Sequence, residues 1–199
     1  MKSSYLTIDS MGEGLYKEKG SKFIGYAYPI RNKKEVTGIL EAIRKDHPKS
    51  RHVCYAYKLG IENPEYKSYD DGEPSGTAGQ PILSVIENRE LTNVLMAVVR
   101  YFGGTLLGAS GLVRAYKRAS NEALENIKIR TKFLRVSYEL IFDYGLEKDI
   151  NLLIKQEDIK ILESKYDTKC QLTVGVKVDQ EERIRIKFNS VQNLTTKKL

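Results

Sequence analysis

Residues Val94 to Phe102 read Val-Leu-Met-Ala-Val-Val-Arg-Tyr-Phe, a run of strand length in which Arg100 is the only charge. A run without polar alternation fits a strand covered on both faces. It predicts a central place in a sheet, and the helical patterns before and after it in sequence predict an α+β fold. No uncharged stretch exceeds thirteen residues, the length of Tyr101 to Val113, which carries four glycines. A bilayer span needs ~20 mostly apolar residues, so none is expected. The amino terminus, Met1-Lys2-Ser3-Ser4-Tyr5, lacks the apolar core of a signal peptide, and the expected location is cytoplasmic.

Punctuation along the chain places the irregular backbone. All five prolines lie at or before Pro81, and seven of the fifteen glycines fall between Gly72 and Gly111, which marks that region as the candidate functional surface. Residues 5 to 30 predict two strands joined near Lys19-Gly20. Asn32 with Glu35 resembles a capping box, Val36, Ile39, Leu40 and Ile43 follow at helical spacing, and His47-Pro48 supplies the stop. A strand over His52 to Leu59 and a polar loop come next, then a helix from Thr77 to about Asn88 with Thr77 as its cap and Pro81 in its first turn. From Ser110 an alanine-rich stripe of Leu112, Ala115, Ala119, Ala123 and Ile127 predicts a helix able to approach a sheet closely.

A second pattern starts at Thr131. It comprises a strand to Phe142, a helix on Leu146, Ile150, Leu153 and Ile154, and strands over Ile159 to Lys165 and Cys170 to Val178. The last twenty residues fit either period: Ile184, Phe188 and Val191 suggest a helix, whereas Ile184, Ile186 and Phe188 alternate with cations as a strand would. The helix is preferred, with Thr195 to Leu199 barely long enough for a closing strand. Domains are therefore expected over 1–129 and 130–199.

Two segments carry candidate chemistry. In the second, Arg100-Tyr101-Phe102-Gly103-Gly104 through Leu107-Gly108-Ala109-Ser110-Gly111 to Arg114, a glycine-rich turn joins a buried strand to a helix, so free backbone N–H groups and the positive helix end are able to face an anion. Neither a P-loop ending nor Gly-x-Gly-x-x-Gly is present, and glycines that serve only tight turns and close packing explain the spacing equally well. Arg114, Lys117, Arg118 and Asn121 share the outer helical face, as phosphate contacts or as a solvated basic face do.

The first segment runs Asp70-Asp71-Gly72-Glu73-Pro74-Ser75-Gly76-Thr77. Its carboxylates admit a Mg²⁺ site, acid–base work, a solvated turn, or salt bridges to Arg100 or Arg114 that fix the two loops together. Elsewhere the nucleophile and metal classes find little. Cys54 and Cys170 stand alone, in no zinc spacing and no disulfide framework, and no serine has a nucleophile-elbow context. His52 and Cys54 share a strand face, but Cys54 reads better as a buried small hydrophobe. The strand from Lys169 to Lys177 offers no outward aromatic, so no base-stacking platform is expected on the second domain. No cofactor is expected. Lys and Arg number 33 against 26 Asp and Glu, a +7 balance that favours polyanions without selecting one.

At these two segments the chain resembles the YigZ/IMPACT family, as a bacterial two-domain member. The resemblance is carried by Asp70 to Pro81, which matches an Asp-Asp-Gly-Glu-Pro-x-Gly-Thr-Ala-Gly-x-Pro block, and by Arg100 to Tyr116, which matches an Arg-Tyr-x-Gly-Gly-x-x-Leu-Gly-x-x-Gly-Leu-x-[Arg/Lys]-Ala-Tyr block. It implies a first domain like ribosomal-protein-S5 domain 2 and a ferredoxin-like second domain similar to elongation factor G domain V. It also implies a non-catalytic protein that binds RNA or the ribosome and modulates translation, stress-related regulation included, with a translation-related protein as a further class of partner. On that expectation the phosphate contacts are Arg100, Gly103, Gly104, Gly108, Ser110, Gly111, Arg114, Lys117 and Arg118. The motif loop is then Asp70, Asp71, Gly72, Glu73, Pro74, Gly76 and Thr77. The alternatives are a metal-dependent enzyme acting on a phosphorylated small molecule, with Asp70, Asp71 and Glu73 at the ion, and a protein-interaction module.

Overall fold

The computed structural model describes residues 3–199, so Met1 and Lys2 of the amino-terminal segment lie outside the described residues. Where two strands are predicted at the start, three form: β1 (Ser4–Ile8), β2 (Gly12–Glu18) and β3 (Ser21–Pro29). The polar Asp9-Ser10 pair separates the first two. The second and third are joined at the predicted turn, where Lys19 and Gly20 take φ of 46° and 78°. Two consecutive positive φ values match the right-handed twist of a hairpin.

Helix α1 (Lys33–Asp46) starts at the predicted cap: Asn32 Oδ1 accepts from Glu35 N at 3.0 Å, and the Glu35 carboxylate accepts from Arg31 N at 2.9 Å. β4 (His52–Leu59) follows as expected, and the polar loop after it contains a further strand, β5 (Glu65–Tyr69). All five β5 residues are exposed. An edge strand held by backbone pairing to β4 has no burial contrast between its faces, so no alternation betrays it.

After α2 (Gly79–Asn88), the apolar run forms β6 (Val94–Tyr101), and then comes α3 (Gly108–Glu125). The sheet order β2-β3-β6-β4-β5 places β6 at the centre, with seven of its eight residues buried. One face, through Phe23, Cys54, Met96 and Val98, packs against Ile82 and Ile86 of α2 and Leu112, Ala115 and Ala119 of α3. The opposite face, through Val53, Ala97 and Val99, meets Ile43 of α1. A two-stranded sheet pairs β1 with β7 (Ile129–Phe133).

The chain divides into two compact units, Tyr5–Lys132 and Phe133–Leu199, the latter with Ser3 and Ser4. The strand expected from Thr131 to Phe142 is interrupted at Leu134, ending β7 and starting β8 (Arg135–Phe142). α4 (Glu147–Gln156), β9 (Lys160–Tyr166), β10 (Cys170–Lys177), α5 (Glu181–Ser190) and β11 (Thr195–Lys198) complete this unit. The helical period prevails at the carboxy terminus because Ile184 and Phe188 both face the core, whereas Ile186 is exposed. The sheet order is β11-β8-β10-β9, antiparallel throughout, and both helices cover the face bearing Leu140, Phe142, Leu172 and Val174.

Candidate functional site: a buried signature beneath a basic surface

The three carboxylates of the first motif point to three separate partners. Asp70 turns inward and accepts from the amides of Gly76, Ala78 and Gly79 at 2.9, 3.0 and 2.8 Å. It thereby supplies the amino-terminal cap that Thr77 was expected to give. Thr77 instead donates from Oγ1 to Pro74 O at 2.6 Å, inside the preceding turn. A carboxylate nine residues upstream of Gly79 is invisible to any local capping pattern.

Burial alone would raise the Asp70 carboxyl, but the amides of Gly76, Gly79 and Ala78 outweigh it and hold the group below its ordinary value. A depressed folded-state value adds stability above the unfolded value, and that stability is lost as pH falls through the folded one. Asp70→Asn is therefore expected to cost about 2 kcal/mol at pH 7. In urea unfolding at a series of pH values, its gap from wild type closes below roughly pH 4.

Asp71 sits at φ 45°, accepts from Val53 N at 2.7 Å and forms a salt bridge with Arg44 at 3.0 Å, tying the loop to β4 and α1. Gly72 follows at φ 85°. His52 donates from Nδ1 to Asp71 O at 2.8 Å, which directs its ring to the loop backbone. Glu73 is 8% exposed and Arg100 7%. Arg100 Nη1 donates to both Glu73 oxygens, at 2.6 and 2.9 Å, and Tyr116 Oη donates to Glu73 Oε1 at 2.7 Å. The salt-bridge reading of the loop thus describes Glu73 and Arg100.

Cys54 Sγ lies 2.9 Å from Asp70 O and 3.3 Å from Tyr116 Oη. Burial pushes its thiol up to about 12, and burial likewise raises the Tyr116 hydroxyl. Cys54 is a protonated, closed-off thiol, so no thiolate faces His52. Because each motif carboxylate is occupied by its own partner, the three do not converge on one ion. Among the described residues no group of three potential ligands is arranged around a metal position.

The inward turn of Arg100 removes it from the expected phosphate contacts. Its guanidinium lies 5.5 Å from the ring centroids of both Phe23 and Phe102 and faces no open surface. Gly103 is also engaged: its N–H donates to Ser21 Oγ at 3.1 Å, and a Cβ there would stand 1.9 Å from the Gly20 carbonyl carbon. What remains on the surface is the segment Phe102–Ser110, with Gly104 at φ 89°, Gly108 at φ 72° and Leu106 81% exposed. Gly111 is buried against Leu107 and packs α3 rather than facing solvent. In the first motif, Gly72, Pro74, Ser75 and Gly76 are the exposed members.

The predicted basic stripe of α3 is exposed, but its members differ. Arg114 Nη2 is held by Glu18 Oε1 at 2.5 Å, and that hydrogen bond keeps the Glu18 carboxyl below its usual range. Lys117 and Arg118 make no ion pair among the described residues. Arg89, at the end of α2, donates to Asn121 Oδ1 at 3.1 Å and extends the stripe sideways. Sequence spacing does not reveal Arg89, because it joins the face through the packing of α2 on α3.

On the second unit, a cavity of about 560 Å³ is lined by Tyr138, Glu181, Glu182, Arg185 and Lys198. Its charges are engaged with one another, Lys198 with Glu181 and Arg185 with Glu182, so it presents no free ionic group.

Against known proteins, residues 19–124 match the Impact N-terminal domain family, a span that contains both motifs and the pair joining them. An IMPACT family member of Haemophilus influenzae is 34% identical over 160 residues, covering 79% of this chain and 78% of that protein. IMPACT family member YigZ of Escherichia coli gives the same identity and the same coverage. A crystal structure described as that of a hypothetical protein aligns with a TM-score of 0.70 at 30% identity, covering 98% of this chain and 97% of the other. With the paired blocks locked together by Glu73 and Arg100, and with relatives that share most of its length, the chain belongs to the IMPACT family.

Proposed function

We propose that this protein is a non-catalytic, cytoplasmic RNA-binding protein that acts on translation, with the exposed side of α3 as its phosphate-tracking surface. The observation that carries the reading is the cationic stripe of Lys117 and Arg118, flanked by Arg89 and Arg114, beside an exposed glycine-rich turn. Gly104, Gly108 and Ser110 border that stripe and offer backbone N–H groups to phosphate oxygens. Arg100 and Glu73 act beneath this surface as its support. The domain assignment belongs to the same proposal. A β-α-β-β-α-β unit in the order β11-β8-β10-β9 supports a ferredoxin-like second domain similar to elongation factor G domain V, following an S5-domain-2-like first domain.

Such a surface is read by charge. Lys117→Glu with Arg118→Glu is expected to weaken binding to a structured RNA at least tenfold and to lower the salt slope by about 2, because two phosphate contacts are lost. Both residues are exposed on α3, so the unfolding midpoint should move little. Unchanged affinity in a filter-binding titration would remove α3 from the interface.

A further inference from the structure

The end of the five-stranded sheet that holds Phe102 carries cations outside the α3 stripe. The register sets Lys22 opposite Tyr101 and His52 opposite Arg100, so Lys22 and Arg51 flank the chain where it leaves β6. Lys19 occupies the tip of the hairpin whose Gly20 abuts Gly103. All three are exposed, and none forms an ion pair among the described residues. The carboxylates nearby are already engaged: Glu18 by Arg114, Asp71 by Arg44 and Glu73 by Arg100. These three carboxylates therefore form no ion pair with Lys19, Lys22 or Arg51.

Phe102 follows β6 at the same end of the sheet and is 54% exposed; it stacks on the Arg100 side, whereas Lys22 and Arg51 share the Tyr101 side. The Arg100 guanidinium lies over its ring at 5.5 Å, and Glu73 fixes that guanidinium in turn. The following residue is anchored through the Gly103 amide to Ser21. The ring is thus a supported aromatic surface open to solvent, at a sheet end whose other face carries Lys22 and Arg51. The ligand that suits it has a flat apolar part beside negative charge, which is the chemistry of an unstacked nucleotide. Duplex RNA keeps its bases inside the stack and offers Phe102 none.

We infer that this end of the sheet is a subsite for single-stranded RNA, with one base stacked on Phe102 and the adjoining phosphates on Lys19, Lys22 and Arg51. The inference rests on the RNA reading above and adds the strand state of the ligand and four residues to it.

The chain contains no tryptophan, so Phe102→Trp places a single reporter in the subsite. A single-stranded RNA of about eight nucleotides is expected to quench its fluorescence, and the same strand annealed to its complement should not. Phe102→Ala should weaken single-strand binding about tenfold while leaving duplex affinity and the salt slope unchanged. Phe102→Tyr, which keeps the ring, should retain binding. Equal affinity of wild type and Phe102→Ala for the single strand, with binding still sensitive to Lys117→Glu, would overturn the stacking subsite and leave the RNA reading standing. No affinity of wild type for either RNA would overturn both. Polyglutamate bound as tightly as RNA would overturn both in favour of an acidic protein partner.

Discussion

Glu73→Gln is expected to destabilise the first unit by about 3–5 kcal/mol, because it leaves the Arg100 guanidinium buried without its counter-charge. Both side chains are almost wholly enclosed, and Arg100 Nε already lacks a partner, so the site holds no spare acceptor to absorb the loss. Glutamine retains one oxygen for the Tyr116 hydroxyl but does not neutralise the arginine. For a unit of this size the midpoint of thermal unfolding should fall on the order of 10 °C. The double variant Glu73→Leu with Arg100→Met removes both charges and should recover most of the loss, since an apolar pair of similar volume stands in for a buried ion pair at little cost. Urea unfolding of the three proteins measures this directly. A loss under about 1 kcal/mol for Glu73→Gln would mean that water reaches the pair, as at exposed ion pairs.

Gly25→Ala should be comparably damaging for a purely steric reason. Gly25 lies in β3, opposite Val98 of the central strand, and its backbone needs no positive φ. A Cβ there would stand 2.2 Å from the Ala119 carbonyl oxygen and 2.8 Å from its carbon. The added Cβ meets backbone, so no rotamer change relieves the contact and α3 must move off the sheet. The expected cost is about 3 kcal/mol, at the upper end of overpacking effects. Gly38→Ala is the control of opposite sign. Gly38 is an exposed helical residue with nothing within 4 Å of an added Cβ, and alanine there should stabilise by roughly 0.5–1 kcal/mol. Equal midpoints for Gly25→Ala and wild type would show that the helix–sheet spacing is adaptable.

Residues with short-range signatures were legible in the sequence. The uninterrupted apolar run became the central β6, the alanine stripe became the helix that lies close on Gly14 and Gly25, and the strict alternation from Cys170 became β10. β5 escaped because an edge strand exposed on both faces has no hydrophobic period. The motif residues show the same division. Their identity and spacing reveal that Asp70, Glu73 and Arg100 matter, but not which way they face. That Asp70 caps α2 from outside, and that Arg100 supports Phe102 from within, depends on contacts spanning nine to twenty-seven positions. Lys19, Lys22 and Arg51 were unremarkable in sequence for the same reason, since the sheet register alone gathers them at one end.

The most direct measurement is the affinity of the unmodified protein for single-stranded RNA as a function of salt concentration. With at least three cations on phosphates, a plot of log affinity against log salt should be linear with a slope of about −2 or steeper. A flat line for single-stranded and duplex RNA alike, or no binding of either at low ionic strength, would contradict the assignment of this basic surface to nucleic acid and leave the buried Glu73–Arg100 pair with a purely architectural role.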